Sequence, residues 1–161
     1  MSGWILALYV RLLCVPYITT LPEGIQVERM EVCENLALRA IEKGLPPRIV
    51  LSVAKVESKY KDGLTGAAGE CGIMQTSRWW FKDRDCRGDD PVEAGLLALD
   101  LLSGCAVINW NDYTCTRKRK ERDWALALCK YNGGNRGCSG KARHYSRKVL
   151  AMANTKARRI Y

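Results

Sequence analysis

The chain is poor in histidine and in the paired ligand spacings that build metal sites. It has one histidine, His144, which lies six residues from the nearest of eight cysteines, and it has no C-x-x-C pair. These shortages argue against a zinc ribbon or a Cys₂His₂ site, which need closely spaced paired ligands. No cofactor motif stands in their place. There is no uncharged apolar run of about 20 residues, the length that an ordinary membrane-spanning helix requires. Internal repeats, heptad arrays and low-complexity linkers are also missing, which argues against solenoids, coiled coils and strings of domains. Acidic residues are in deficit, with 17 Asp plus Glu against 26 Lys plus Arg, a formal charge of +9. What is present, 161 residues of which 47% are hydrophobic and 27% charged, suits one folded domain with a sizeable core. The basic balance calls for an anionic partner: nucleic acid, an acidic membrane surface or an acidic cell-envelope polymer.

The cysteines are Cys14, Cys33, Cys71, Cys86, Cys105, Cys115, Cys129 and Cys138. The spacings 71–86, 105–115 and 129–138 suit disulfides that close short loops in an oxidising compartment. Small buried thiols in a reducing cytosol are the alternative. Eight cysteines allow 105 connectivities, so spacing leaves the pairing open. Residues 1–20 stand apart from residues 21–161, which form the folded domain. In the former, Trp4 to Val10 is apolar, Arg11 interrupts, and Leu12 to Val15 resumes the run. A cleaved export signal has an early cation, an unbroken apolar segment and an A-x-A-like site. Here the cation is central and Thr19-Thr20-Leu21 is a poor site, so an atypical export signal, a signal anchor and an N-terminal helix remain open readings.

The rest reads as helices punctuated by Gly and Pro. Val27, Met30, Cys33, Leu36-Ala37 and Ala40-Ile41 recur at helical spacing until Gly44. Pro46-Pro47 opens a second helix carrying Ile49, Val50, Val53 and Val56. Residues 59–89 are rich in Gly, Asp, Lys and Arg around Trp79-Trp80-Phe81, and form an irregular lobe with room for a hairpin. Asp90-Pro91-Val92-Glu93 is a helix start, with an Asp cap, Pro at the first position and Glu three after the cap. The nearly all-apolar Ala94 to Leu102 marks a buried central helix. Trp124 to Tyr131 is helical up to Asn132-Gly133-Gly134, and a last helix puts Ala142, Tyr145, Val149 and Met152 on one face. The expected fold is a single mainly α domain.

Three short segments carry chemistry. Glu57 lies four residues after Val53, seven after Val50 and eight after Ile49, so its carboxylate falls on the apolar stripe of its helix. It also sits in the last turn, where the helix dipole is negative. Desolvation and dipole both disfavour the ionised form, which is what a general acid needs near neutral pH. A glutamate bending out to water at a frayed helix end is the plainer alternative. Gly69-Glu70-Cys71-Gly72-Ile73-Met74-Gln75 joins a tight glycine turn to apolar contact and an amide, a combination suited to a sugar. A core turn leading into a buried Ile-Met pair reads equally well. Tyr131-Asn132-Gly133-Gly134 offers a hydroxyl for a neighbouring carboxylate and an amide for an acetamido group, or else merely ends a helix.

In this order, Val-Ala-Lys-Val-Glu57-Ser58, Gly72-Ile73-Met74-Gln75 and Lys-Tyr131-Asn132-Gly133-Gly134 resemble the soluble lytic transglycosylase family. That family is marked by a Glu-Ser pair, a Gly-Leu-Met-Gln motif and an Ala-Tyr-Asn motif. The resemblance spans about residues 30–150, with Ile73 for Leu, Lys130 for Ala, Glu70-Cys71 where small and basic residues are usual, and Lys59 where Gly is common. It implies a lysozyme-like α+β fold similar to goose-type lysozyme, and cleavage of the β-1,4 bond between N-acetylmuramic acid and N-acetylglucosamine in peptidoglycan. Glu57 would be the acid and then the base, forming a 1,6-anhydro end with help from the substrate's N-acetyl group. Ser58, Met74, Gln75, Tyr131 and Asn132 would position substrate, with no metal and no cofactor. A hydrolytic muramidase is the nearest alternative; it needs a second carboxylate, and Asp62, Asp83, Asp85 and Asp89 lie in the right lobe without one being singled out. A non-enzymatic basic component of a phage particle or secretion machine, binding wall or nucleic acid, is the other. The aromatics are not interleaved with the basic run at 117–122 or with the tail from Lys156, which argues against nucleic acid. The partner expected is the peptidoglycan strand, reached in the cell envelope, the periplasm or from a virion. A membrane would be met only through residues 1–20.

Overall fold

The computed structural model describes residues 3–81, 86, 90–109, 112–115, 122–134 and 138–158. Among these, six helices dominate: α1 (Gly3–Ile18), α2 (Glu23–Glu42), α3 (Pro47–Glu57), α4 (Pro91–Gly104), α5 (Trp124–Gly133) and α6 (Gly140–Arg158). One antiparallel hairpin, β1 (Cys105–Asn109) and β2 (Asp112–Cys115), follows α4. The helix starts obey local chemistry. Pro47 opens α3, where its missing N–H is not needed. Asp90 Oδ1 accepts the Val92 and Glu93 N–H groups at 2.9 and 3.3 Å to cap α4. Asp123 Oδ1 does the same for Leu126 at 2.9 Å in α5, which ends at Gly134 with φ +56°.

Helix α3 is the centre of the molecule. Val50, Leu51, Val53 and Ala54 are fully buried, with α2 and α6 packed on it and α1 against its flank. Helix α4 packs on α5, and α5 on α6. Val10, Leu13, Cys14, Tyr17 and Ile18 of α1 join the main core. A Cys14–Cys33 disulfide, with Cα atoms 5.9 Å apart, ties α1 to α2, a pair outside the three short spacings. Tyr17 donates its hydroxyl hydrogen toward α3, at 3.1 Å from the Arg48 carbonyl. On α2 the buried residues are Arg29, Cys33, Leu36, Ala37 and Ala40, whereas Val27 is 87% exposed. The helix turns Arg29 inward instead, because its guanidinium donates to the buried Tyr60 carbonyl at 3.1 Å.

Among its described residues the lobe at 59–89 holds no hairpin. They hold only the isolated bridges Thr65↔Cys71 and Cys71↔Thr76, while the true hairpin pairs Cys105 with Cys115 and Val107 with Tyr113. No ladder runs through residues 59–75 because the backbone there repeatedly turns left-handed, at Lys59, Tyr60, Gly63, Gly69, Gly72 and Gln75. Lys59, at φ +53°, occupies a conformation that glycine would adopt freely. Trp80 packed on Ala98 and Leu101, and Phe81 and Cys71 packed with Ala94, hold the lobe to α4, and a Cys71–Cys86 disulfide closes the lobe on itself.

Gly95, in the middle of α4, is where that lobe comes closest. A Cβ there would lie 2.7 Å from Met74 Sδ and 2.8 Å from Thr76 Oγ1. Helix propensity alone would make Gly95→Ala stabilising by about 1 kcal/mol. Overpacking against Met74 and Thr76 reverses the sign, so the variant should lose about 1–3 kcal/mol in denaturant unfolding. A gain in stability would contradict this packing.

Candidate active site

Glu57 is the last residue of α3, and its backbone places the side chain between α6 and the lobe. Its pKa is raised above the ordinary carboxylate value. Burial is the chief cause; the Tyr145 hydroxyl acts against it, Glu70 adds to the rise, and Lys148 opposes it. Tyr145 projects from α6 and is 7% exposed, and among the described residues its hydroxyl completes no hydrogen bond of good geometry. It nevertheless lies close enough to bear on the Glu57 carboxylate, and burial raises its own pKa well above the usual phenol value. A half-withdrawn carboxyl faced by a buried phenol hydroxyl is suited to holding and delivering a proton.

The Gly72-Ile73-Met74-Gln75 segment forms a tight turn closed by Gln75 N–H donating to the Gly72 carbonyl at 3.0 Å. Gly72 has φ +73°, and a Cβ there would meet Pro91 Cβ at 2.5 Å, so the turn needs glycine on both counts. Gln75 Nε2 donates to the carbonyls of Leu64 and Gly72, at 3.2 and 2.8 Å. Both amide hydrogens are thus committed within the lobe. Met74 is fully buried and packs on α4 at Gly95.

Tyr131 of α5 donates to the Met74 carbonyl at 2.9 Å and shares a 3.0 Å hydrogen bond with Thr76 Oγ1. Burial, more than Thr76 or the neighbouring Glu57, sets its raised pKa. Its hydroxyl therefore fastens α5 to the lobe and sits near the carboxylate without being its hydrogen-bond partner. Asn132 beside it is exposed. Ser58 follows α3 and is buried, with Oγ donating to the Ala54 carbonyl at 3.2 Å.

The structure thus gathers Glu57, Met74, Gln75 and Tyr131 around the meeting point of α3, α5, α6 and the lobe, with Ser58 turned back onto α3 and Asn132 toward water. Three contributors escaped the sequence reading: Tyr145, Thr76 and Glu70. Tyr145 lies on a helical apolar stripe and reads there as core, although a phenol on such a stripe always brings a polar tip that needs a partner. Asp62 takes the Gly63 N–H at 2.8 Å and lines a separate pocket with Thr65, Arg78 and Pro91; Asp83, Asp85 and Asp89 lie outside the described residues. Of the basic run, Lys118 to Glu121 and Arg117 also lie outside them. Its remaining member, Arg122, pairs with Asp100 and covers the Trp124 ring at 5.7 Å. No group of three His, Cys, Asp or Glu residues able to hold a metal occurs among the described residues.

The family model described as the transglycosylase SLT domain matches residues 35–151, nearly the whole span from α2 to α6. No curated protein and no solved structure matches the chain.

An acid whose pKa rises on folding favours the protonated native state. Its penalty on stability is absent below the ordinary value of about 4.3 and is fully present above the folded pKa. Glu57→Gln keeps the shape and removes the charge. It should melt above the wild type at pH 7–8, with the difference vanishing below about pH 4. A wild type that is the more stable at pH 8 would contradict the burial of this carboxylate.

Proposed function

The chain belongs to the transglycosylase SLT domain family, and on that ground we propose that it is a peptidoglycan lytic transglycosylase in which Glu57 acts first as acid and then as base. The observation that carries the reading is the position of Glu57, withdrawn from water at the end of α3 inside the matched segment. The protonated carboxyl donates its proton to the oxygen of the β-1,4 bond that joins N-acetylmuramic acid to N-acetylglucosamine. The C1–O4 bond breaks with assistance from the substrate's own N-acetyl group. The carboxylate then takes the proton of the muramic-acid 6-hydroxyl, and O6 closes on C1 to leave a 1,6-anhydro end. No water is consumed, and Glu57 finishes protonated as it began.

Within this reading, exposed Asn132 meets the sugar directly. Ser58, Met74, Gln75 and Tyr131 act through shape: Ser58 caps the helix that carries Glu57, and Tyr131 holds the Met74–Gln75 turn at its distance from it. The formal charge of +9 favours the carboxylate-bearing wall polymer as partner. The site of action is the cell wall, outside the cytoplasm, which agrees with the Cys14–Cys33, Cys71–Cys86 and Cys129–Cys138 disulfides.

Digestion of purified peptidoglycan followed by mass spectrometry tests the proposal. The expected products are muropeptides lighter by one water than their hydrolysed counterparts, with cleavage reduced about 10²–10⁴-fold in Glu57→Gln. Cleavage that survives Glu57→Gln, or products entirely without the anhydro end, would overturn it.

A further inference from the structure

Helix α1 is apolar on two sides, and among the described residues only the inner one is covered. The inner face, Val10, Leu13, Cys14, Tyr17 and Ile18, is buried in the main core. The outer face is Trp4, Ile5, Leu8, Tyr9, Leu12 and Val15, which are six of the eight large apolar side chains exposed among the described residues. Trp4 stands 71% exposed, Leu8 53% and Leu12 50%. The helix is not a loose end that could fold this face away. The Cys14–Cys33 bridge ties it to α2, Lys55 Nζ donates to the Tyr17 carbonyl at 2.8 Å, and the Tyr17 hydroxyl reaches the Arg48 carbonyl. A fixed, contiguous apolar surface of this kind marks a docking place.

The order of residues around the helix says what docks. At about 100° per residue, Val15, Leu8, Leu12 and Ile5 fall in the middle of the outer face, with Arg11 and Trp4 along one margin and Tyr9 along the other. Hydrocarbon thus occupies the centre, and side chains with an apolar body and a polar tip stand at the edges. A helix lying in the plane of a lipid surface has this arrangement, with aromatic rings at the headgroup level and a cation in reach of phosphate. Charge agrees. Arg11 is the one charged side chain from Met1 to Pro22, so no carboxylate on α1 opposes an anionic leaflet, and the whole chain is +9. The Arg11 side chain is 65% exposed and meets Glu34 at 3.4 Å, a surface pair that costs little to exchange for a phosphate. Spanning is a different matter. The 16 residues of α1 extend about 24 Å against about 30 Å of hydrocarbon, and the inner face is held by protein. No helix among the described residues is long and apolar enough to cross a membrane.

We propose that α1 docks the protein in plane on a bilayer surface that carries anionic phospholipid. Ile5, Leu8, Leu12 and Val15 lie among the acyl chains, Trp4 and Tyr9 sit at the headgroups, and Arg11 meets a phosphate. The outer face is the side of α1 turned away from α2 and α3, whereas the Glu57 carboxyl lies where α3 meets α5, α6 and the lobe. Docking therefore leaves that site open to the wall polymer while the chain rests on the membrane beside it. The surface is separate from Glu57 and does not depend on the reaction assigned to that residue.

Vesicle flotation of the full, oxidised chain tests this, with vesicles of phosphatidylcholine alone and of phosphatidylcholine mixed with phosphatidylglycerol. The wild type should float with the mixed vesicles, and its tryptophan emission should shift to the blue in a part that Trp4→Phe removes. Leu8→Gln combined with Leu12→Gln keeps good helix formers at both positions and should weaken partition at least about tenfold. Arg11→Gln should weaken it about fivefold on the mixed vesicles and leave phosphatidylcholine unchanged. Digestion of purified peptidoglycan, which holds no bilayer, should be the same in all these variants, so a failure here and a failure of Glu57 are read separately. Melting curves check that each variant folds; if the double variant does not, Leu12→Gln alone decides by the same partition. A wild type that stays free of the mixed vesicles, or a partition that the leucine variants leave unchanged, would overturn the proposal. So would a wild-type dimer that the leucine variants dissociate and that binds no lipid, since the face would then belong to a second copy.

Discussion

A carboxyl group at the C-terminal end of a helix, partly removed from water, is disfavoured as an anion twice, by lost hydration and by the negative end of the helix dipole. Glu57 is held in that position by almost everything else in the molecule. Val50, Val53 and Ala54 sink α3 into the core, α2 and α6 cover it, and α1, tied to α2 by the Cys14–Cys33 bridge, braces it through the Tyr17 hydroxyl. With so many contacts fixing its last turn, α3 has little freedom to release Glu57 to solvent, and burial raises the pKa of its carboxyl above the ordinary value. The surrounding groups then tune that tendency in opposite senses, Glu70 strengthening it and the Tyr145 hydroxyl and Lys148 weakening it.

The second half of the site is a matter of distance. The lobe carrying Gln75 has scarcely any ladder of its own, so its place relative to Glu57 is set by attachments: Met74 seated at Gly95 on α4, and the Tyr131 hydroxyl fastened to the Met74 carbonyl and Thr76. Cys129–Cys138 closes the connection between α5 and α6, and so couples the helix bearing Tyr131 to the helix bearing Tyr145. Cys71–Cys86 closes the lobe on itself beside the Met74–Gln75 turn. These two disulfides therefore bear on the site, since Cys71–Cys86 closes a loop beside Gln75 and Cys129–Cys138 one beside Tyr131.

Much of this was legible in the chain before folding. The offsets of Glu57 from Val53, Val50 and Ile49 put it on the buried face, and the structure withdraws it from water as they require. The caps at Asp90 and Pro47 and the stop at Gly133-Gly134 are local chemistry, and local chemistry decided them. Where tertiary contacts outweigh local pattern, the reading fell short. Val27 fits the apolar period but stays in water because Arg29 has a buried carbonyl to reach. The hairpin described is at 105–115, and residues 59–75 of the glycine-rich lobe form none because left-handed residues spoil a ladder whatever the composition. Cys14–Cys33 bridges two helices that only the fold brings side by side. Tyr145 and Glu70 carry no signal in periodicity that distinguishes a residue facing a carboxylate from one in the core or on a loop.

The account turns on whether Glu57 keeps its proton beyond the range of an ordinary glutamate. Carbon-13 NMR of the glutamate side-chain carboxyls, with Glu57 assigned by its loss in Glu57→Gln, measures that directly. The account predicts a Glu57 midpoint clearly above the usual value of about 4.3, falling when Glu70 is replaced by glutamine. A midpoint at or below the ordinary value would contradict the central role given to this residue.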